Sequence, residues 1–200
     1  MQHRLAFPAL KLAVALWSIA APATAYAARV TIDPDHSNVG FNVRHLFTKV
    51  TGRFREFSGT ILFEEDNPTA SKVTATIQAA SIDTNVETRD KDLRSPRFFD
   101  VEKFPTLTFQ SGSVERAPNG RLVITGTLTM HGVAKEIALD AEFLGKGIDP
   151  WGNIRYGFHA VTKVNRKDFG MRWNEAIETG GVLVGDDVEI ILDIEAIPAE

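Results

Sequence analysis

The sequence contains no cysteine among its 200 residues. This absence excludes disulfide bonds, a lipoprotein-type acylated cysteine, catalysis by a thiol and metal sites built on thiolates. Positive charge is also in deficit, since 26 acidic residues outnumber 22 basic residues and give a formal net charge of −4. A mildly acidic chain of this kind argues against nucleic acid as a partner.

Long hydrophobic runs are missing as well. The apolar stretch near the start, Leu12–Ala21, is shorter than the roughly 20 residues that a membrane-spanning helix needs, and Pro22 follows it. Arg4 and Lys11 supply positive charge ahead of this stretch, and Ala25-Tyr26-Ala27 fits the small-x-small pattern that signal peptidase recognises. Ala23-Thr24-Ala25 fits this pattern nearly as well. We therefore expect a cleavable signal peptide that ends near Ala27, or two residues earlier, rather than a membrane anchor.

Removal of residues 1–27 leaves residues 28–200, which we expect to form a single domain outside the cytoplasm. The removed segment contains two basic residues and no acidic residue, so the formal net charge moves from −4 to −6. The remaining sequence shows no internal repeat, low-complexity tract or linker that would indicate a second domain. Without disulfide bonds, this domain must be stabilised by its packed core alone.

Recognisable catalytic and metal-binding motifs are absent from the sequence. No G-x-S-x-G elbow and no glycine-rich phosphate loop occurs. Asp33-Pro34-Asp35 resembles the start of a calcium loop but lacks the glycine and glutamate that should follow. We therefore predict no catalytic residue, no bound metal and no cofactor, and a protein that is not an enzyme. None of the four histidines outside the signal peptide stands at a ligand spacing: His36, His45, His131 and His159.

The remainder of the chain shows the period of two that is typical of β-strands. Turn sequences such as Pro118-Asn119-Gly120 separate the runs and favour antiparallel hairpins. A closed barrel of about eight antiparallel strands is the favoured architecture, and a two-sheet sandwich is the alternative. Alternation is clearest at residues 39–45, 73–79, 122–130, 137–143 and 188–195.

Two short segments interrupt the strand pattern. Thr84-Asn85-Val86-Glu87 has the form of a helix capping box, which predicts a short helix over Glu87–Leu93. A second short helix is expected at His45–Lys49. The fold class predicted from the sequence is therefore all-β, with one or two short helices.

Several strands carry small residues on the face that should point into the barrel. Small residues at these positions leave room for one small ligand in a barrel of about eight strands. They are equally consistent with a tightly curved sheet that needs glycine and alanine at close approaches. The alternation leaves both readings open for Gly52, Gly59, Ala75, Ala79, Gly126, Ala141 and Ala160.

A set of motifs over nearly the whole exported chain resembles the YceI-like family of lipocalin-like proteins. The sequence departs from the pattern at Asp92, where family members often have a histidine, which puts in doubt any role of that histidine here. The resemblance rests on Asp33-Pro34-Asp35-His36-Ser37, Val50-Thr51-Gly52-Arg53-Phe54, Arg89-Asp90-Lys91-Asp92-Leu93-Arg94-Ser95, Phe104-Pro105-Thr106-Leu107-Thr108-Phe109, Gly126-Thr127-Leu128-Thr129-Met130-His131-Gly132 and Asn165-Arg166-Lys167-Asp168-Phe169-Gly170.

The resemblance implies an eight-stranded antiparallel lipocalin-like barrel that holds a long isoprenoid or other lipid, such as a quinone or a polyprenyl phosphate. It also implies a periplasmic carrier with transient contact to the inner membrane or a membrane cytochrome. The alternative function is an enzyme that acts on a small apolar substrate in the same cavity. Monomer and homodimer both stay open.

Apolar residues on the inward-facing positions are the candidates for the wall of such a lumen. Each of them is also consistent with an ordinary core position that touches no ligand. The candidates are Phe41, Val43, Phe54, Phe57, Ile61, Ile77, Phe109, Leu128, Met130, Phe143 and Phe158.

A polar lipid head group would need donors near a barrel mouth. His36, Ser37, Arg89, Asp90 and Arg94 are the candidates, because they lie at or near the predicted irregular segments. An arginine could bind a phosphate head group through two hydrogen bonds. The alternative is structural, in which Arg89, Asp90 and Arg166 form ion pairs that fix the short helix to the barrel.

Overall fold

The computed structural model describes residues 27–176 and 182–199. The predicted signal peptide lies outside the described residues, apart from Ala27. Among the described residues, no helix combines the length and the apolar character needed to cross a bilayer. One α-helix, α1 (Glu87–Arg94), accompanies the strands β1 (Ala28–Ile32), β2 (Asn38–His45), β3 (Thr48–Phe54), β4 (Phe57–Phe63), β5 (Lys72–Gln78), β6 (Ile82–Asp83), β7 (Thr106–Arg116), β8 (Leu122–Met130), β9 (Val133–Ile148), β10 (Ile154–Asn165) and β11 (Val184–Pro198).

The strands form a closed antiparallel barrel. Each strand pairs with the next in the order β1-β4-β5-β7-β8-β9-β10-β11, and β11 pairs back to β1. β1 and β2 pair with successive parts of β11, so together they act as one barrel strand. In the same way, β3 extends β4 and β6 extends β5. Eight strands therefore enclose the barrel. The predicted fold is confirmed, and the sandwich alternative is wrong because closure leaves a single sheet.

The two ends of the barrel are defined by its turns. The β2–β3 turn and the start of β11 lie at one end, since Val184 pairs with His45. The β9–β10 turn and the end of β11 lie at the other end, since Tyr156 pairs with Ala196. We call these the α1 end and the β9–β10 end, because α1 packs beside β6, which pairs with β3, at the former.

The predicted helix after Asp83 is present, but its start differs from the expected capping box. The residue before the helix is Val86, which provides no side-chain cap. The Thr84 hydroxyl instead donates to the carboxylate of Asp90 inside the helix. The second predicted helix, at His45–Lys49, is wrong: β2 and β3 pair up to His45 and Thr48, and a two-residue turn joins them.

Two of the small inward residues are explained by aromatic rings that lie against them. A Cβ added at Gly52 would clash with the ring of Phe41, and one at Gly126 would stand 2.6 Å from both the Phe109 ring and the carbonyl oxygen of Gln110. These glycines therefore permit close packing of aromatic side chains across neighbouring strands. They do not themselves open space in the barrel.

Candidate ligand-binding cavity

A cavity of about 240 Å³ lies inside the barrel, and its wall is almost entirely apolar. Side chains from all eight barrel strands contribute to it, because the period of two directs every second residue inward. Ten of the eleven apolar residues predicted for the wall lie on it: Phe41, Val43, Phe54, Phe57, Ile61, Ile77, Phe109, Leu128, Met130 and Phe158.

Phe143 is the predicted wall residue that does not line the cavity. Its ring packs against the rings of Phe63 and Phe158, with centroids 4.6 Å and 5.3 Å away. Phe63 and Phe158 face the cavity, so Phe143 supports the wall without forming it. Phe143 pairs with Phe158 and keeps the parity of Ala141, so it lies on the inward face of β9 as predicted.

Arg166 brings a charged side chain to the cavity wall. It follows β10 directly, at the α1 end of the barrel, and it is only 4% exposed. Nε donates to the carbonyl oxygen of Gly185 at 2.9 Å, and Nη1 donates to those of Met171 and Trp173 at 2.6 Å and 2.8 Å. Nη2 lies 3.3 Å from the Asp186 carboxylate. The guanidinium thus binds two backbone segments, 171–173 and 185–186, at one end of the cavity.

The electrostatics of Arg166 reflect this burial. Desolvation lowers the pKa of the guanidinium below its ordinary value, and the Asp186 carboxylate opposes that shift. From the sequence, Arg166 is expected only to fix the helix. The alternation of the preceding strand predicts its inward position, because Phe158, Ala160 and Val164 face inward on β10 and Arg166 follows two residues after Val164.

Glu142 and His159 border the cavity but direct their side chains elsewhere. Their neighbours Ala141 and Ala160 are buried and line the cavity, so alternation places Glu142 and His159 on the outer face. His159 Nδ1 lies 2.8 Å from the Asp193 carboxylate, and Glu142 pairs with Arg121. Of the titratable residues on the cavity wall in the described part of the chain, Arg166 is therefore the one whose side chain is buried there.

The predicted head-group residues on α1 are held by the protein itself. Asp90 is buried and accepts hydrogen bonds from the backbone N–H and the hydroxyl of Thr84. Arg89 donates through Nε to the same hydroxyl and through Nη2 to the Thr84 carbonyl oxygen. Arg94 donates to the carbonyl oxygens of Ala80 and Ile82, each at 2.9 Å.

These contacts fix α1 against the strand segment that precedes it. The predicted ion pairs among Arg89, Asp90 and Arg166 are not formed. Arg89 and Asp90 both bind Thr84, which still holds the helix in place, and Arg166 pairs with Asp186. Arg89, Asp90 and Arg94 do not line the cavity, whereas their helix neighbour Leu93 does.

His36 and Ser37 lie at the break between β1 and β2, away from α1. His36 Nδ1 lies 2.8 Å from the Asp33 carboxylate, and the Ser37 hydroxyl donates to the carbonyl oxygen of Glu195. Neither lines the cavity. The structure therefore does not bring the five predicted head-group residues together into one site.

Asp33, His36 and Glu195 could offer three ligand atoms to a cation, all within 4.8 Å of one another. Arg155 occupies the same place, since it pairs with Asp33 and Glu195. Burial opposes ionisation of Asp33, but hydrogen bonds from His36, Arg155 and the Asp35 N–H outweigh it and lower its pKa. These residues form an ion-pair network on the barrel surface, in which the Arg155 guanidinium occupies the position that a cation would take.

A closed antiparallel barrel around an apolar interior defines the class of lipocalin-like barrels. Within that class the family is also defined by sequence. The model of the YceI-like domain matches residues 30–196, so the chain belongs to the YceI-like family.

Individual relatives support the assignment. Protein YceI of Salmonella arizonae is 42% identical over 177 residues, which cover 87% of this chain and 89% of that protein. The crystal structure of a Campylobacter jejuni YceI protein is 34% identical, with a TM-score of 0.66 over 78% of this chain and 90% of that one. A polyisoprenoid binding domain from Saccharophagus degradans shares the fold at 15% identity, with a TM-score of 0.61 over 86% of this chain and 99% of that domain.

Proposed function

We propose that the protein is a carrier that binds a long-chain isoprenoid or a related lipid, such as a quinone or a polyprenyl phosphate, inside the barrel. The observation that carries this proposal is the apolar cavity along the barrel interior, which extends from Phe63 at the β9–β10 end to Arg166 at the α1 end. One protein of the same fold is described as a polyisoprenoid binding domain, which agrees with this ligand class.

The physical basis is the cost of exposing a hydrocarbon chain to water. Removing apolar surface from water contributes roughly 25 cal/mol for each Å² that is buried. The aromatic and aliphatic wall offers such an environment, and dispersion contacts with rings such as Phe41, Phe54 and Phe109 add to it. A carrier of this kind needs a shaped apolar wall and no chemistry.

The alternative function, an enzyme acting on a small apolar substrate, requires different features. Acid–base catalysis needs titratable groups whose pKa values are matched to proton transfer. Among the described residues that line the cavity, the buried charged side chain is Arg166, and an arginine does not lose its proton in proteins. The wall therefore favours a binding protein over an enzyme.

Extraction of the purified protein with organic solvent, followed by mass spectrometry, tests the ligand class. We expect a polyprenyl or quinone species in near-stoichiometric amount, absent from a cytoplasmic protein purified in parallel. We also expect the delipidated protein to take up a fluorescent prenyl alcohol. Recovery of no lipid, together with no uptake of the prenyl alcohol, would contradict the proposal.

The periplasmic location belongs to the same proposal and has a test of its own. Positive charge, a short apolar stretch and a small-x-small triplet at Ala27 support export. Cell fractionation should place the protein in the periplasmic extract, with Ala28 as its first residue. A chain that stays in the cytoplasm with residues 1–27 attached would contradict export without affecting the lipid-binding proposal.

A further inference from the structure

The β9–β10 hairpin projects beyond the neighbouring strand. β8 pairs with β9 only as far as Leu122 opposite Ala141, whereas β9 continues to Ile148 and pairs there with β10 alone. We call residues 144–154 the hairpin tip. Added Cβ atoms at Gly145, Gly147 or Gly152 would meet nothing within 4 Å, so the tip is open on all these sides.

This hairpin tip exposes large apolar side chains at a density found nowhere else among the described residues. Trp151 is 82% exposed, Ile148 is 74% exposed and Leu144 is 62% exposed, and Ile154 adds a fourth apolar side chain. Clustered apolar exposure of this kind is typical of a surface that meets a partner or a membrane. Tryptophan is in addition the residue type that favours the membrane–water interface.

The hairpin tip carries one positive charge that no ion pair among the described residues neutralises. Asp149 is held by the backbone N–H groups of Trp151 and Asn153, by the Asn153 amide and by Arg155. Lys146 has no ion-pair partner within the described residues, and its ammonium lies over the Tyr156 ring. An apolar tip with a single uncompensated cation is complementary to an anionic bilayer surface.

A second copy of the chain is the competing occupant of this surface, and the backbone argues against it. The backbone of β9 is irregular beside its free edge, because Gly145 has a φ of +140° and the β9–β10 pairing shifts register at Gly157/Phe158. A bulge and an edge lysine are two devices by which proteins prevent edge-to-edge pairing. The edge therefore makes a poor template for strand addition.

From these observations we propose that the hairpin tip is a membrane-docking element, which inserts Trp151, Ile148 and Leu144 into the interface of a lipid bilayer. The tip is at the β9–β10 end, where Phe63 and Phe158 form the cavity wall, so docking brings that end of the barrel to the lipid surface. The proposal goes beyond lipid binding in the cavity, because a barrel with an empty cavity would dock in the same way.

Co-sedimentation with phosphatidylcholine vesicles, with and without phosphatidylglycerol, tests the proposal. The double variant Ile148→Ser/Trp151→Ser should lower the partition coefficient roughly tenfold or more, because it removes the two most exposed apolar anchors of the tip. Phe47→Ser is the matched control, since Phe47 is the exposed aromatic at the opposite end of the barrel. It should change the coefficient less than about twofold. Lys146→Ala should remove the extra binding that phosphatidylglycerol gives.

A spectroscopic readout keeps the proposal testable if a variant folds poorly. In the Trp173→Phe variant, Trp151 is the tryptophan that remains after residue 27, and brominated lipids should quench its emission and shift it to shorter wavelength. Failure of the unmodified protein to sediment with either vesicle would overturn the proposal. So would an equal loss in the Phe47→Ser control, or a solution dimer that the double variant converts to a monomer.

Discussion

The carboxylate of Asp90, on the buried side of α1, accepts hydrogen bonds from the backbone N–H of Thr84 at 2.9 Å and from the Thr84 hydroxyl. The helix is therefore anchored through one of its own residues to the segment before it. Asp90→Asn replaces the carboxylate by a neutral amide and weakens both bonds. We expect a loss of about 1.5–3 kcal/mol in the free energy of unfolding, measured by urea denaturation.

The matched control for this helix is Asp92→Asn. Asp92 pairs with Arg97 on a partly exposed face, and exposed ion pairs contribute about 0–1 kcal/mol. Asp92→Asn should therefore lower the free energy of unfolding much less than Asp90→Asn does. Equal losses in the two variants would show that Thr84 does not anchor α1.

Arg166 should be essential for the stability of the α1 end of the barrel. Arg166→Leu leaves the carbonyl oxygens of Met171, Trp173 and Gly185 without their donor, and the expected loss is about 3–5 kcal/mol in the free energy of unfolding. Lys167→Ala, which removes an exposed partner of the same Asp186, should cost less than about 1 kcal/mol. An Arg166→Leu protein as stable as the control would mean that this network is not formed.

Asp149 should contribute stability that depends on pH. Desolvation opposes its ionisation, but hydrogen bonds from Asn153, Arg155 and the Trp151 N–H prevail and lower its pKa from 3.8 to about 2. A pKa lowered in the folded state means that the contribution is present above the unfolded value and is lost as the pH falls through about 4 to 2.

Asp149→Asn should therefore be less stable than the unmodified protein near neutral pH, and the two should converge near pH 2. Thermal unfolding followed by circular dichroism over this range measures the difference. Glu65→Gln, in the turn after β4, is the control for a generic loss of negative charge. A stability difference for Asp149→Asn that stays constant across the range would contradict the assigned contacts.

The glycine at position 126 should be intolerant of a methyl group. An added Cβ would lie 2.6 Å from the carbonyl oxygen of Gln110 and from the Phe109 ring, and overpacking of this kind costs roughly 1–3 kcal/mol. Gly112→Ala, on the paired strand, meets its nearest atom at 3.7 Å and should change the free energy of unfolding by much less. Similar urea midpoints for the two variants would show that the ring does not lie where the structure places it.

The barrel could be predicted from the sequence because its signals are local. Alternation over 122–130 and 137–143 assigns faces, and Pro118-Asn119-Gly120 assigns a hairpin, without knowledge of distant residues. The same locality explains the predicted helix at His45–Lys49, which was wrong. Helix propensity over five residues is weaker than the β2–β3 ladder on either side of the turn, and that ladder depends on pairing with β11.

The polar part of the candidate site was harder to predict, because its partners come from distant segments. Arg94 reaches carbonyl oxygens of Ala80 and Ile82, and Ser37 bonds to Glu195 at the far end of the chain. No spacing in the sequence encodes these pairs. Arg166 is the exception, since it directly follows β10, two residues after the inward-facing Val164, and this spacing could have placed it at the wall.

A comparison of two tryptophan substitutions on β9 decides whether the ligand binds inside the barrel. Ala141 is buried on the cavity wall, and Ala138 is exposed three residues earlier on the opposite face of the same strand. Ala141→Trp should fill the cavity and lower the uptake of a fluorescent prenyl alcohol roughly tenfold or more, equivalent to about 1.4 kcal/mol of binding free energy, whereas Ala138→Trp should bind like the unmodified protein. A folded Ala141→Trp protein that takes up the prenyl alcohol as well as the unmodified protein would contradict binding inside the barrel.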